Sequence, residues 1–323
     1  MKNTIFKILF VLQFHKILHK FVKQKNYGIV LCLHRVSNNV DILFPPLKTQ
    51  VFDDLVKYLS KNFNVCNTED FFNLEKKNNK IKVLISFDDG YKDFIQNALP
   101  IVKKYNVPVV HNIIIEAVEK DLIPWTQQVN DIINLMYFNG DYGVFKLFNY
   151  DITISKDLKQ TIKSGMKIYQ ELLAVSCEER LRFIKELKKL SGFNYSQNQM
   201  MNWDDINTCL NNNVEIGSHS YTHDILSTIN NKNQLENEID NSKKVIEKKT
   251  NTRVNTIAFP NGDFNENVKN IAKKSGYKYL FSTQENYYDF RIKNETVPRI
   301  SIYHNNFHET IFKLYNFHNF IKQ

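Results

Sequence analysis

Short apolar runs alternate with amphipathic stretches along most of the chain, and this rhythm predicts an α/β fold. Val30-Leu31-Cys32-Leu33, Val83 to Phe87 and Val109 to Ile115 read as buried strands, as do Val214-Glu215-Ile216, Ile257-Ala258-Phe259, Tyr279 to Ser282 and Ile300 to Ile302. Between them the apolar positions take helical spacing. Phe52, Leu55, Val56 and Leu59 form one face, Ile95, Leu99 and Val102 another, and Leu235, Ile239, Ser242 and Ile246 a third. Continuous apolar strands separated by helices imply a parallel sheet covered on both sides, either doubly wound or closed into a barrel. Between about residues 116 and 200 the rhythm gives way to mostly helical sequence, read as an insertion capping one end of the fold. The N-terminal residues 1–26 suggest a basic amphipathic helix with Ile5, Leu9, Leu12, Ile17 and Phe21 on one face. Such a helix docks on the body of the protein or lies on a membrane surface.

Composition narrows the function classes. The 323 residues are 42% hydrophobic with only 9 Gly and 7 Pro, which excludes disordered and collagen-like chains. The formal charge of +9 rests on 37 lysines against 6 arginines, beside 41 asparagines. Nucleic-acid sites favour arginine for its planar, bidentate donors, so the charge argues against nucleic acid as a partner. Cys32, Cys66, Cys177 and Cys209 form no C-x-x-C pair and suit a reducing compartment. The N-terminus lacks a long apolar core and a small-residue cleavage site. The expectation is a cytoplasmic protein, peripheral at the inner membrane face through residues 1–25, with export left open.

Four segments at strand ends carry the candidate chemistry, and parallel α/β folds place ligands there. Ser86-Phe87-Asp88-Asp89-Gly90 offers two adjacent carboxylates, one able to bind a metal while the other accepts a proton. Gly217 to His223 contains two histidines four residues apart, a spacing that suits one metal. His15/His19 and His304/His308 share that spacing without the strand-end context, and are read as surface pairs. Phe259-Pro260-Asn261-Gly262 marks a tight turn able to aim a backbone N–H at an oxyanion. In Leu33-His34-Arg35-Val36 the histidine is either a buried structural residue or a proton donor.

Together these segments resemble the polysaccharide deacetylase family, the NodB-like carbohydrate esterases. The family's T-F-D-D-G motif matches Ser86 to Gly90 with Ser for Thr, and its H-[ST]-x-x-H motif matches His219 to His223. Its Pro-rich motif is similar to Phe259 to Gly262, and the likeness covers roughly residues 27 to 115 and 201 to 302. The resemblance implies a distorted (β/α)7 barrel over residues 27–302, with a helical insertion at about 116–200 and a C-terminal helix at 303–323. It further implies that Asp89, His219 and His223 hold a divalent metal, usually zinc. Asp88 would be the general base and the backbone N–H of Asn261 would meet the oxyanion.

The resemblance departs from the commonest pattern in two places. Many members take the general acid from a Leu-x-x-His motif near the C-terminus, which Ile300 to His304 matches poorly. The chain looks more like the branch with an early Y-H-x-[VI]-type segment, which makes His34 the implied acid and His304 the alternative. The arginine that commonly opens the Pro-rich motif is missing, and its work of orienting the base passes to Arg35 or Arg299. The implied reaction is metal-dependent removal of an N-acetyl group from an amino sugar of a surface polysaccharide or its precursor. N-formyl or O-acetyl removal needs the same groups, and a non-catalytic sugar-binding relative is the rival class. Trp125 and Trp203 are assigned to core packing rather than to sugar stacking.

Overall fold

The computed structural model describes residues 2–75, 79–194, 198–292 and 294–317. Its strands, in chain order, are β1 (Tyr27–Leu33), β2 (Asn64–Val65), β3 (Lys82–Phe87), β4 (Val109–Ile113), β5 (Gly143–Leu147), β6 (Tyr150–Ile154), β7 (Val214–Ser218), β8 (Thr256–Ala258), β9 (Tyr279–Phe281), β10 (Tyr288–Asp289) and β11 (Ile300–Ser301). One curled sheet runs β1-β3-β4-β7-β8-β9 with parallel neighbours throughout. β11 adds a parallel strand to the free edge of β1. Just before it, Val297 bridges to Phe281 of β9 at the opposite edge. Residues 297–301 therefore lie along both edges, and the sheet curls into the distorted seven-stranded barrel expected of the sequence.

Strand side chains alternate between two environments, as the period of two demands. Ile29, Leu31, Val83, Ile85, Val109, Val214 and Ile257 face outward into the main core, where they meet the helix Thr49–Asn62 and its neighbours. Val30, Leu84, Val110, Ala258 and Phe281 face inward and fill the barrel floor. Two residues further along each strand the same inward face carries Cys32, Ser86, Asn112 and Gly217. One step beyond, it reaches His34, Asp88 and His219. Apart from Glu215 of β7, whose carboxylate accepts from the Thr68 amide, the floor is apolar, the middle layer small and polar, and the rim reactive.

The stretch between residues 116 and 200 is less helical than expected. It holds the helices Trp125–Asn139, Leu158–Leu173 and Cys177–Ser191, and also the antiparallel hairpin β5-β6. The alternation of Tyr150 to Ile154, which buries Ile152 and Ile154, marks the hairpin. These elements share an apolar cluster of their own, including Val129, Ile133, Leu172 and Phe183. Arg180 ties this cluster to the barrel. Its guanidinium is buried against Asp224 at 2.6 Å and donates to the carbonyls of Leu172 and Val175. It also stacks over the Trp125 ring, 4.9 Å from its centroid.

The N-terminal residues form two helices, Lys2–Val11 and Phe14–Gln24, because Gln13 takes a left-handed conformation that breaks the run. The face turned to the protein is not the expected one. Phe6, His15 and Val22 are buried, whereas Ile5, Leu12, Ile17 and Phe21 are exposed. His15 stacks on Phe10 and His19 hydrogen-bonds the Tyr315 hydroxyl at 3.1 Å, so this pair docks the helix instead of facing solvent. The C-terminal helix spans Phe307–Leu314, and residues 318–323 of the expected one lie outside the described residues. Among the described residues no helix is long and apolar enough to cross a membrane.

Removing one partner of a buried ion pair strands the other charge, at a cost of about 3–5 kcal/mol. Arg180→Ala is expected to destabilise the protein by that amount in urea unfolding. A loss below about 1 kcal/mol, the level of an exposed pair, would show that Arg180 does not hold the insertion in place.

Candidate active site

The reactive rim opens into a cavity of about 510 Å³ lined by His34, Asp88, Asp89, His219, His223 and Asn261. That volume suits a small ligand such as a sugar. The two adjacent carboxylates diverge because Asp89 and Gly90 both turn at positive φ, 77° and 90°. Asp88 continues the inward ladder of β3, and Asp89 swings across to the histidines that follow β7.

Asp89 Oδ1 lies 3.3 Å from Nε2 of His219 and 3.5 Å from Nε2 of His223, all three side chains being buried. His219 Nδ1 sits 2.7 Å from the carbonyl of Ala258 and must donate to it, since a carbonyl only accepts. With the ring neutral, Nε2 presents a lone pair to Asp89 Oδ1. Burial opposes a charged ring, but Asp88 and Asp89 outweigh it and raise the His219 pKa, so the site draws positive charge between the two groups. Acceptors facing one another in a dry site are costly unless a cation sits between them. Ligands about 2.0–2.1 Å from a tetrahedral zinc stand roughly 3.3 Å apart, close to the spacings here. The donor set of two imidazoles and one carboxylate thus fits a divalent metal. His223 suits it further, since burial and neighbouring His219 push its pKa down to about 3 and keep the imidazole neutral.

The loop carrying the histidines is held from behind. Glu238, in a π-helical turn at Asn237–Asn241, is buried and accepts hydrogen bonds from the amides of Tyr221 and Thr222 and from the Thr222 hydroxyl. Ser220 Oγ accepts from the amide of His223, which adopts φ 65°. The next residue, Asp224, is the partner of Arg180, so the insertion anchors the second histidine.

Asp88 lies on the opposite wall. Arg299 grips it with two nitrogens, Nη2 to Oδ2 at 2.7 Å and Nη1 to Oδ1 at 2.9 Å. Asn112 of β4 donates to the same Oδ1 at 2.8 Å. Burial by itself would raise the Asp88 pKa, but the guanidinium overrides it and holds the carboxyl far below its usual range. Gly217 has no side chain for a related reason. A Cβ there would collide with Asn112 and Thr256, which hydrogen-bond each other at 3.3 Å.

Of the two candidate arginines, Arg299 meets Asp88, while Arg35 turns away to Asp41 at 2.6 Å and Asp93 at 2.9 Å. Its charge is already balanced there. The two candidate acids also separate. His34 lines the cavity, and its imidazole lies within 4.8 Å of Asp88 and Cys32. His304 lies 3.2 Å from Glu309 and is not among the cavity's lining residues. Asn261 is fixed at both ends, its carbonyl accepting from Thr283 at 3.3 Å and its Oδ1 from the Tyr169 hydroxyl at 2.7 Å. Trp125 packs on Tyr169 behind the cavity, and neither tryptophan lines it. Tyr169, Phe44 and Tyr303 supply the aromatic wall instead.

Sequence reasoning missed Asn112, Glu238, Asp224 and Tyr169. Asn112 alone left a signal, as a lone amide within the apolar run Val109 to Ile115. The geometry predicts that purified protein takes up one divalent cation per chain, measured by elemental analysis, and that His223→Ala loses it. Retention of the cation by the variant would place it elsewhere.

Residues 177–280 match the family model for polysaccharide deacetylases. Over 324 aligned residues the chain is 23% identical to poly-beta-1,6-N-acetyl-D-glucosamine N-deacetylase of Staphylococcus aureus, covering 93% of this chain and 87% of that one. Among solved structures it resembles the Streptococcus pyogenes deacetylase PplD in complex with acetate, with a TM-score of 0.59 and 15% identity. That likeness covers 89% of this chain and 97% of the other. IcaB from Ammonifex degensii gives a TM-score of 0.59 at 13% identity, covering 90% and 97%. The motif-bearing strand ends, the family match around the paired histidines and the relatives aligned over nearly the whole length agree: the chain is similar to polysaccharide deacetylases in sequence over residues 177–280 and in fold over most of its length.

Proposed function

We propose that this protein is a metal-dependent polysaccharide N-deacetylase, acting on an N-acetylated amino sugar of a surface polysaccharide or its precursor. The observation that carries the reading is one cavity holding two distinct groups: a metal-shaped trio, Asp89, His219 and His223, and a buried carboxylate kept ionised by Arg299. The substrate named for the Staphylococcus aureus relative, a β-1,6-linked N-acetylglucosamine polymer, sets the substrate class. A divalent cation held by the trio, zinc by its donor set, would supply Lewis acidity that polarises the amide carbonyl and acidifies water.

The protein's own groups do the rest. Asp88 accepts the proton of the attacking water, and Arg299 and Asn112 orient the carboxylate that receives it. Because Arg299 holds the Asp88 pKa down, the base is ionised throughout the neutral range. The Asn261 amide, on its fixed turn, faces the oxygen that becomes negative as the carbonyl carbon goes tetrahedral. His34, beside Asp88 on the cavity wall, donates a proton to the sugar nitrogen as the C–N bond breaks. Acetate and a free amine result. The exposed apolar residues Ile5, Ile8, Val11, Leu12 and Ile17, interspersed with Lys7, Lys16 and Lys20, support peripheral attachment to an anionic membrane.

Asp88→Asn is expected to keep the metal and lower turnover on an N-acetylglucosamine oligomer by about 10²–10⁴-fold, the usual worth of a general base. A variant as active as the wild type would remove Asp88 from the chemistry. Arg299→Met removes the largest charge that offsets burial, so the Asp88 pKa rises. The carboxylate is then protonated at higher pH, and the acid limb of kcat/KM moves upward. An unmoved limb, with the metal still bound, would show that Arg299 does not set the base.

A further inference from the structure

One reactive group in the cavity has no part in the deacetylation chemistry. Cys32 lies on the inward face of β1, buried yet lining the cavity, with Sγ 3.6 Å from Oδ2 of Asp88. His34 follows two residues later on the same face. β1 and β3 run parallel with Cys32 opposite Ser86, so His34 and Asp88 stand side by side one step higher. One ligand atom from each of Cys32, His34 and Asp88 falls within 4.8 Å of the other two. These three residues are distinct from Asp89, His219 and His223.

We propose that Cys32, His34 and Asp88 form a second cation site, selective for thiophilic metals, whose filling shuts the enzyme off. The proposal rests on the deacetylase reading only for that effect on turnover. A tetrahedral zinc about 2.3 Å from sulfur and 2.0 Å from oxygen separates the two by roughly 3.5 Å, close to the Sγ–Oδ2 spacing found here. The exposed His34 ring supplies the third ligand, and the cavity leaves a fourth position for water. On binding, the thiol proton that points at Asp88 leaves to solvent and the cation takes its place. The thiolate and the Asp88 carboxylate together outweigh the charge of Arg299, so the cation enters a net negative set. A thiolate and an imidazole favour zinc, cadmium or copper(I) over magnesium or calcium.

Filling this site removes two groups at once. Asp88 cannot accept a proton while it holds a cation, and His34 cannot donate one from a ligating nitrogen. The first equivalent of zinc would therefore activate and an excess would inhibit.

The test titrates metal-free protein with cobalt(II) and reads the near-ultraviolet thiolate-to-cobalt absorption. The band is expected to appear with the second equivalent in the wild type and to be missing in Cys32→Ala. On an N-acetylglucosamine oligomer, Cys32→Ala keeps wild-type activity at one equivalent of zinc. Its half-inhibiting zinc concentration rises by about 100-fold, the scale of losing a well-placed partner at a metal. Magnesium at the same concentrations inhibits neither protein. Cys32→Val repeats the comparison should alanine impair folding. Absence of the band, or the same band in the variants from Cys66, Cys177 or Cys209, would overturn the second site. Zinc inhibition unchanged by the variants would overturn its role in turnover. The cobalt titration needs no substrate, so it stands apart from a failure of the deacetylase reading.

Discussion

The pairing of Arg299 with Asp88 is the constraint on which the rest of this structure depends. Both side chains are sealed from solvent, and an ionised carboxylate in such a place costs several kcal/mol unless a counter-charge meets it with good geometry. The guanidinium does so with two nitrogens, and a third donates to the carbonyl of Ser282 at 2.9 Å. Arg299 sits in the segment that lies along both edges of the curled sheet. Its flanking residues pair with β9 on one side and β1 on the other. Completing the barrel and ionising Asp88 are therefore one structural event. The arginine is a seam residue as much as a member of the site.

Around that pair the site is built by simple periodicity. Each strand sends alternate side chains inward, and the inward series changes from apolar to small to reactive as the strands approach their carboxyl ends. Where two reactive groups must point in different directions from one strand end, a left-handed turn at Asp89 separates them. The histidine loop is tied to β4 and β8 through His219, by its amide to Ile113 and its ring to Ala258, and needs further supports beyond it. Glu238 accepts its amides from behind, and the Arg180–Asp224 pair ties it to the insertion. The insertion thus contributes to the rigidity of the loop that carries His219 and His223, as well as to the cavity wall through Met166 and Tyr169.

The strands and the four reactive segments were legible in the sequence because each combines a local hydrophobic pattern with distinctive residues at its end. The supporting residues were not. Asn112, Glu238 and Asp224 act through partners 16 to 44 positions away, and no local pattern encodes such pairs. The choice between Arg35 and Arg299 was open for the same reason, since each adjoins an apolar strand, Arg35 after β1 and Arg299 before β11, and only the register across the seam places one against Asp88. The N-terminal segment misled for a different reason. Its apolar residues fit two faces of a helix, and the break at Gln13 let the less obvious one, with Phe6, His15 and Val22, dock against the body.

The 211 positions between Asp88 and Arg299 have a consequence for how the barrel is assembled. Asp88 leaves the ribosome long before its counter-charge does. A barrel that closed around the carboxylate before residues 297–301 docked would hold Asp88 without its counter-charge and favour its protonated form. Once the seam segment arrives, it can dry the interior and neutralise the charge together. Any form of the protein that lacks residues 297–301 loses both the counter-charge of Asp88 and the segment that joins the two edges of the sheet.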